Sequence, residues 1–477
     1  MQICALQGGC AKVKAFFFTL EMLQHELLLF SAFWLLIGAV DDLCIDLIWI
    51  VRRIYRRIVY YRVQPPMRAN ELPPPTRPGM LAIFIPTWGE AAVIGTMLEH
   101  CRESWRNAGC DYQIYVGCYP NDEAGVSRAL KAADQNSHVR LVMVAHDGPT
   151  TKADCLNSLW LALIADELAR GYKAKAVILH DAEDAVHAYE LDIFDRLIEK
   201  SGAVQLPVIP VRTEQSQWIS GHYCDEFAEA HGKTMVVREA IGAALPLAGV
   251  GCAIDRNLLG RIALSNAGRP FDEDSLTEDY ELGLKIGALG ERTIMARILD
   301  DNGDLIGTKA HFPDTLDTSV RQKTRWLIGI TLAGWDRLGW HGGFAENWMR
   351  LHDRRSIFAA VVLVVAYFCI FLTALLALLY AGGWYQPSPV SEPLITLLSI
   401  NGLFLLWRWI VRAAFVGTLY GFAEALLSIP RSLIANIIAI MAARRACVAY
   451  LRHCFGAPLP WDKTVHHIVP SPVMPHE

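Results

Sequence analysis

Residues 357–381 place 25 side chains in a row without a charge, a proline or a glycine, and no other feature constrains the fold so strongly. As a helix this run reaches about 37 Å, enough to cross the hydrocarbon core of a bilayer. Two further apolar stretches, at 27–51 and 394–410, are candidates for the same role. The first of them contains Asp41, Asp42 and Asp46. Ionisable groups at membrane depth are costly. Either these aspartates line a polar path, or the span starts earlier and they sit in the interface.

Charge sets the orientation. Arg52, Arg53, Arg56, Arg57 and Arg62 follow the first run, Arg350, Arg354 and Arg355 precede the second, and the loop 382–392 has no Lys or Arg. By the positive-inside rule, 52–355 is a cytosolic segment and 356–410 is a pair of spans joined by a short external loop. Residues 411–450 are interrupted by Pro430, and 433–443 is short for a span before Arg444 and Arg445. They read as two amphipathic helices at the cytosolic face or as a fourth span. Residues 1–26 read as a leader and not a cleavable signal, since Glu21, His25 and Glu26 interrupt any apolar core. Residues 451–477 read as a cytosolic tail.

Composition agrees with a membrane protein carrying a sizeable soluble part: 53% of the 477 residues are hydrophobic and 19% charged. A net charge of -5 shows no basic excess and argues against nucleic acid as a partner. The twelve cysteines lack paired metal-ligand spacing and read as reduced thiols, which suits a cytosolic domain.

Within 52–355, β-rich runs at 81–85, 113–118, 140–145 and 176–180 alternate with helical patterns at 91–107, 124–133, 152–169 and 188–200. This alternation predicts βαβ units and a mostly parallel, Rossmann-like sheet. Ligands of such sheets bind at the carboxyl ends of strands. Pro86, Thr87 and Glu90, then Asn121 and Asp122, then His180, Asp181, Glu183 and Asp184, all follow strand candidates.

Four strings suggest chemistry, each with a plainer reading beside it. Asp181 and Glu183 offer carboxylates at the spacing Mg²⁺ or Mn²⁺ takes together with substrate phosphates; an acidic turn capping the next helix is the plainer reading. Lys152 opens a helix after Thr150 and Thr151, where free N–H groups and an ammonium suit a phosphate; otherwise it is a capped helix with a surface lysine. Thr277, Glu278 and Asp279 follow the acidic run 271–274. Clustered carboxylates raise one another's pKa, which suits a general base, whereas capping by Thr277 needs no function. Gln322, Arg325 and Trp326 lie on a helical stretch before the run at 357. Arg325 suits a diphosphate and Trp326 a sugar ring or channel entrance, against an interface helix with snorkelling cations.

In this order the strings resemble the family-2 inverting glycosyltransferases, in particular membrane synthases of the cellulose and hyaluronan type. The Asn121-Asp122 turn, Asp181-Ala-Glu183, Thr277-Glu-Asp279 and Gln322-Lys-Thr-Arg-Trp326 match the family's motifs across 80–330. Strings such as Tyr119-Pro-Asn-Asp-Glu-Ala-Gly125, Ser220-Gly-His-Tyr-Cys-Asp-Glu-Phe227, Phe312-Pro-Asp-Thr315 and Trp461-Asp-Lys-Thr-Val-His466 are similar to NfrB-type inner-membrane glycosyltransferases implicated in phage adsorption.

The resemblance implies a GT-A type domain in the bacterial inner membrane. It further implies a nucleotide-diphospho-sugar donor, UDP-linked, with Pro86, Thr87, Glu90, Asp122, Lys152, Asp181, Gln322 and Arg325 on the donor. Asp181 and Glu183 would hold Mg²⁺ or Mn²⁺. Asp279, helped by Glu278, would act as base, and Trp326 would meet the acceptor. The acceptor is a growing polysaccharide with export coupled to it, or a lipid-linked acceptor taking one sugar. Membrane lipids and an outer-membrane export or receptor partner complete the expected partners. A scaffold in an envelope complex, needing no catalysis, is the reading from another class. Glu183 departs from the family's more usual Asp, and the regulatory domain of longer NfrB-type proteins has no counterpart before Glu477.

Overall fold

The computed structural model describes residues 2–459 apart from Gln64, Gln135 and Tyr385, with side chains from residue 15 onward except that of Glu214. The string at Trp461 and most of the expected tail lie outside the described residues.

Among the described residues the sheet domain is built on nine strands: β1 (Leu81–Pro86), β2 (Tyr112–Cys118), β3 (Val139–Met143), β4 (Ala176–Leu179), β5 (Ala203–Gln205), β6 (Val208–Val211), β7 (Cys252–Asp255), β8 (Thr293–Met295) and β9 (Thr308–His311). Seven form one sheet in the order β3-β2-β1-β4-β7-β5-β8, and β6 pairs with β9. Every pairing is parallel except those of β7 with β4 and with β5. The four expected strands are β1 to β4.

Strand β1 shows why the sheet is central. Leu81, Ile83 and Ile85 enter one apolar cluster while Ala82 and Phe84 enter the other. Successive side chains of a strand point to opposite faces, so a wholly apolar strand needs cover on both. Because β1 pairs on one side with β2 and on the other with β4, the chain reverses its build direction between β1 and β4. A crevice opens there, beyond the carboxyl ends of both strands.

The helices follow as α1 (Gln2–Tyr55), α2 (Ile94–Ser104), α3 (Glu123–Ala133), α4 (Lys152–Arg170), α5 (Glu190–Leu197), α6 (Ile219–Glu229), α7 (Met235–Ala240), α8 (Arg256–Leu264), α9 (Glu278–Ala288), α10 (Leu316–Leu327), α11 (Ala333–Leu338), α12 (Phe344–Arg354), α13 (Ser356–Ala381), α14 (Glu392–Tyr420) and α15 (Phe422–Cys454). Thr151 caps α4 by accepting the Asp154 N–H, and Gly171 ends it at a φ of 67°. That left-handed conformation favours glycine.

Four helices, Ala15–Tyr60, α13, α14 and α15, are long and apolar enough to cross a membrane. The residues expected as a leader belong to the same helix as the 27–51 run. Polar contacts mark both ends of the bundle that α1 forms with α13 and α14. At one end Glu21 accepts the Ser388 N–H and Gln24 donates to Thr373. At the other, Asp42 meets Arg408 at 2.7 Å and Asp41 meets Arg355 at 2.8 Å. From Glu21 to Asp41 is about 30 Å of helix, so the aspartates sit at the bundle's end and not at mid-depth.

Asp46 is 1% exposed; it meets Lys233 at 2.5 Å and accepts the Trp407 indole N–H. Glu229 on α6 joins Lys233 at 2.7 Å and Arg412 at 3.2 Å. Asp46 therefore joins the bundle to the sheet domain, while Asp41 holds α12 against α1 and Asp42 ties α1 to α14.

Residues 411–450 fall in two helices divided at Gly421, and α15 is among those long and apolar enough to cross a membrane. Residues 411–420 continue α14, and α15 runs unbroken through Pro430. Arg431 of α15 meets Asp225 at 2.7 Å. Ile438 and Ala442 pack on Val320 of α10, and Ala446 packs on Leu276 and Ile328. Tyr450 donates to Asp336 on α11. The opposite face exposes Leu426, Leu433, Ile437, Met441, Val448 and Leu451. Thus one face of α15 follows the soluble domain for about six turns.

Candidate active site

A cavity of about 600 Å³ occupies the crevice at the ends of β1 and β4. Pro86, Thr87 and Glu90 line it from the turn after β1, and Asp181, Glu183 and Asp184 from the turn after β4. Lys152 reaches it from the first turn of α4. Glu278 and Asp279 enter from the start of α9, and Gln322, Arg325 and Trp326 from α10. Sequence positions more than 200 apart thus share one wall.

Asp122 is not among the lining residues. Its carboxylate accepts the Gly89 N–H at 2.7 Å and the Gly125 N–H at 3.1 Å, which caps α3 and ties down the turn holding Glu90. Asp122 thus positions the turn that carries Glu90, which lines the cavity. Asn121 does similar work, exchanging two hydrogen bonds with the backbone of Gly148.

One ammonium serves several carboxylates. Lys152 Nζ lies 2.5 Å from Asp181 Oδ1 and donates to the Gly249 carbonyl at 3.1 Å. Burial works against its charge, but Asp181, Glu278 and Asp279 outweigh it and hold Lys152 firmly protonated. Glu183 is driven well above the ordinary carboxylate range, first by burial and then by Asp181, Asp184 and Glu90. A cation beside these groups would relieve that repulsion. The two oxygen donors Asp181 and Glu183 fit a hard divalent ion that completes its shell with phosphate oxygens and water.

Behind them, buried His180 lies 3.0 Å from Asp184 and 3.2 Å from Glu190. Burial would lower its pKa; Glu190 and Asp184 instead raise it to about 10. Asp184 Oδ2 also accepts the Asp181 N–H at 3.0 Å, so this pair shapes the loop carrying Asp181.

Asp41, Asp42 and His352 also bring three metal-type ligands within mutual reach among the described residues. Their carboxylates already bind Trp348, Arg355 and Arg408. None of the three residues lines the cavity.

Thr277 occupies the N-cap position of α9 but makes no capping bond. Its buried hydroxyl has no hydrogen-bond partner. It packs instead on Gly329, where a Cβ would fall 2.5 Å from the hydroxyl oxygen. Glu278 is pushed up to about 7, by burial first and by Asp279 second, and Asp279 is raised by burial. Mutual repulsion is thus the smaller cause, and the run before Thr277 is not part of it: Asp272 pairs with Arg337 and Glu273 with Arg269. On α10, Gln322 Oε1 and Arg325 Nε are buried without partners. Both residues line the cavity, as a site for an oxygen-rich ligand requires.

Residues that sequence chemistry did not single out complete the walls. Trp88 and Tyr119 meet edge to face at 5.4 Å near Thr150. Phe227 and Phe312, with centroids 4.8 Å apart, form a corner with Trp326 at 6.4 Å from each. Their strings were visible in the sequence, but no periodicity or spacing tied α6 and the segment after β9 to α10. Asp353 closes the far end, held by Arg238 and the Tyr280 hydroxyl.

Residues 176–443 match the sequence profile described as glycosyl transferase family group 2. The chain belongs to that family. The matched region spans β4 to α15, so it takes in all the cavity-lining carboxylates except Glu90, along with the α10 motif. This glycosyltransferase is 35% identical over 453 residues to bacteriophage adsorption protein B of Escherichia coli strain K12 and to bacteriophage N4 adsorption protein B of Escherichia coli O157:H7. The alignment covers 90% of this chain and 60% of each relative, so the chain spans about three-fifths of their length.

Among solved structures, the glycosyltransferase is similar to a mannosyltransferase from Pyrobaculum calidifontis in complex with GDP-Man and Mn²⁺. Identity is 15%, coverage 87% of this chain and 98% of that one, and the TM-score 0.47. It is also similar to Staphylococcus aureus TarS 1–349 in complex with UDP-GlcNAc, at 10% identity, 66% and 95% coverage and a TM-score of 0.34. The mostly parallel sheet with flanking apolar helices is the GT-A class expected for the family.

Proposed function

We propose that the protein transfers a sugar, with inversion, from a nucleotide-diphospho-sugar to the hydroxyl of a saccharide acceptor. The observation that carries this reading is the meeting of Asp181 and Glu183 with Glu278 and Asp279 in one cavity, where the Lys152 ammonium lies against Asp181. Lys152 and Arg325 bind the diphosphate. A divalent cation, Mg²⁺ or Mn²⁺, held by Asp181 and Glu183 would screen the charge left on that diphosphate. Asp279 takes the proton of the acceptor hydroxyl, whose oxygen bonds to the anomeric carbon as the bond to the diphosphate breaks. Burial keeps Asp279 more basic than an ordinary aspartate, and the Trp326 corner stacks on the acceptor ring.

The protein is placed in a bacterial inner membrane with the sheet domain on the arginine-rich cytosolic side. Helices α1, α13 and α14 span, and α15 lies along the interface beneath the domain with its leucine-rich face in lipid.

The aromatic corner suits a growing polysaccharide. One observation favours the second reading, transfer of a single sugar to a lipid-linked acceptor. Of the long apolar helices only α13 and α15 reach the cavity, through Ser356 and Ala439, so the described residues give no conduit lined by spans. The relatives are named for bacteriophage adsorption, which suggests an envelope product or an outer-membrane partner.

Purified protein in nanodiscs, given UDP- and GDP-sugars with Mg²⁺ or Mn²⁺, tests this. Release of one nucleotide is expected, reduced at least ~100-fold in Asp279→Asn. No release from any donor, or undiminished release in the variant, overturns catalysis and leaves the scaffold reading. Long products favour polymerisation; products one sugar longer favour single transfer.

A further inference from the structure

Asp181 Oδ1 has two claimants. The Lys152 ammonium lies against it at 2.5 Å, while a divalent cation would bind the same oxygen at about 2.0–2.2 Å. Both cations cannot hold that oxygen without standing within a few ångströms of each other, where like charges repel strongly in a partly dry site. Lys152 is also fastened from behind, since its ammonium donates to the Gly249 carbonyl. Gly249 in turn sits so close to Asp279 that a Cβ there would lie 2.6 Å from Oδ2. The ammonium therefore bridges the first carboxylate of the proposed metal pair and the backbone beside the proposed base.

We propose that Lys152 is a built-in competitor of the divalent cation, so that metal binding depends on a diphosphate drawing the ammonium away from Asp181. This rests on the assignment of Asp181 as metal ligand made above. A diphosphate offers Lys152 other anionic oxygens at the N-terminus of α4, where free N–H groups favour them. With the ammonium moved there, Asp181 is open to metal on its Oδ1 side. Metal and nucleotide then bind with positive coupling, and by linkage each strengthens the other equally. The device keeps the metal site weak until a donor arrives. Lys152 is in this sense a positioning residue as well as a donor contact.

The test is Mn²⁺ binding to the full-length protein in nanodiscs, read by the electron paramagnetic resonance of free Mn²⁺, with Mn²⁺ alone and with added UDP or GDP. The unmodified protein should bind Mn²⁺ weakly alone and at least ~10-fold more tightly with the nucleotide it accepts. In Lys152→Met, Mn²⁺ alone should bind at least ~10-fold more tightly and the nucleotide enhancement should fall away, a change of the size usual for groups surrounding a metal ligand. Lys152→Arg should retain the coupling, and a Lys152→Gln variant repeats the test if Lys152→Met fails to fold.

Unchanged or weaker binding of Mn²⁺ alone in both Lys152→Met and Lys152→Gln overturns the proposal. Asp181→Asn separates the two ideas. If it abolishes Mn²⁺ binding while Lys152→Met changes nothing, the metal assignment stands and the competition fails. If Asp181→Asn leaves binding intact, both fail.

Discussion

A single methyl group added far from any reacting atom should slow this enzyme. In Gly329→Ala the new Cβ would meet Thr277 at 2.5 Å from its hydroxyl oxygen, 2.7 Å from its methyl and 3.1 Å from its Cβ. Rotating the threonine side chain leaves the last contact in place, so backbone has to move. Opening the 2.7 Å methyl approach to the ordinary 3.4 Å separates the two segments by about 0.7 Å. One segment begins the helix carrying Glu278 and Asp279, and the other continues the helix carrying Gln322 and Arg325. The added strain is about 1–3 kcal/mol of stability. A displacement approaching 1 Å between base and acceptor costs roughly 100-fold in rate, so kcat should fall by about 10- to 100-fold. KM for the donor should rise as well, because Arg325 sits on one of the two displaced segments, but by less than kcat falls, since Lys152 and Asp181 lie on elements the methyl does not touch. The assay is steady-state nucleotide release, with Gly95→Ala as control, since a Cβ at Gly95 meets nothing within 4 Å. A folded Gly329→Ala protein with unchanged kcat would show that the Thr277 contact does not set the position of the carboxylates.

Other outcomes follow from the same structure. Because the base must be unprotonated and burial raises Asp279, kcat/KM should decline as pH falls, starting from a higher pH than an ordinary aspartate would give. Glu278→Gln removes the neighbouring negative charge, so the acid limb should move to lower pH; a limb that stays in place counts against the coupling. At the joint, Asp46→Leu leaves Lys233 buried with only Glu229 and should cost about 3 kcal/mol. Thermal unfolding in detergent reads this, and Asp46→Leu combined with Lys233→Met should recover part of the loss. Equal stability of the single variant would show that the joint carries no energetic weight.

The legible part of this molecule was local. Strands β1 to β4 could be read because apolar runs, turn residues and amphipathic helices follow each other at short range, and strand ends then gathered the motifs. Chemistry that depends on distant partners could not be read the same way. Nothing near Asp46 announces Lys233 or Trp407, so its presence in an apolar run admitted two explanations until the contacts chose one. Asp122 carried a motif's promise, yet its two oxygens are engaged by Gly89 and Gly125, a use fixed by backbone geometry alone. Phe227 and Phe312 lacked any pattern joining them to Trp326. Strands β5, β8 and β9 are three or four residues long and too short for periodicity to show. The 411–450 region misled because Pro430 suggested a break, whereas α15 continues through it.

The way α15 seats on α10 bears on the order in which the enzyme matures during synthesis. Domains fold as units while the chain emerges, amino-terminal parts first. All nine strands precede residue 312, so the sheet and its two apolar clusters are available while the last helices are still unmade. The helix carrying Gln322 and Arg325 has no such independence: Val320 waits for Ile438 and Ala442, and Ile328 waits for Ala446. The wall of the cavity made by the turns after β1 and β4 can therefore form early, and the wall made by α10, with Arg325 and Trp326, closes only when the final helix settles against it.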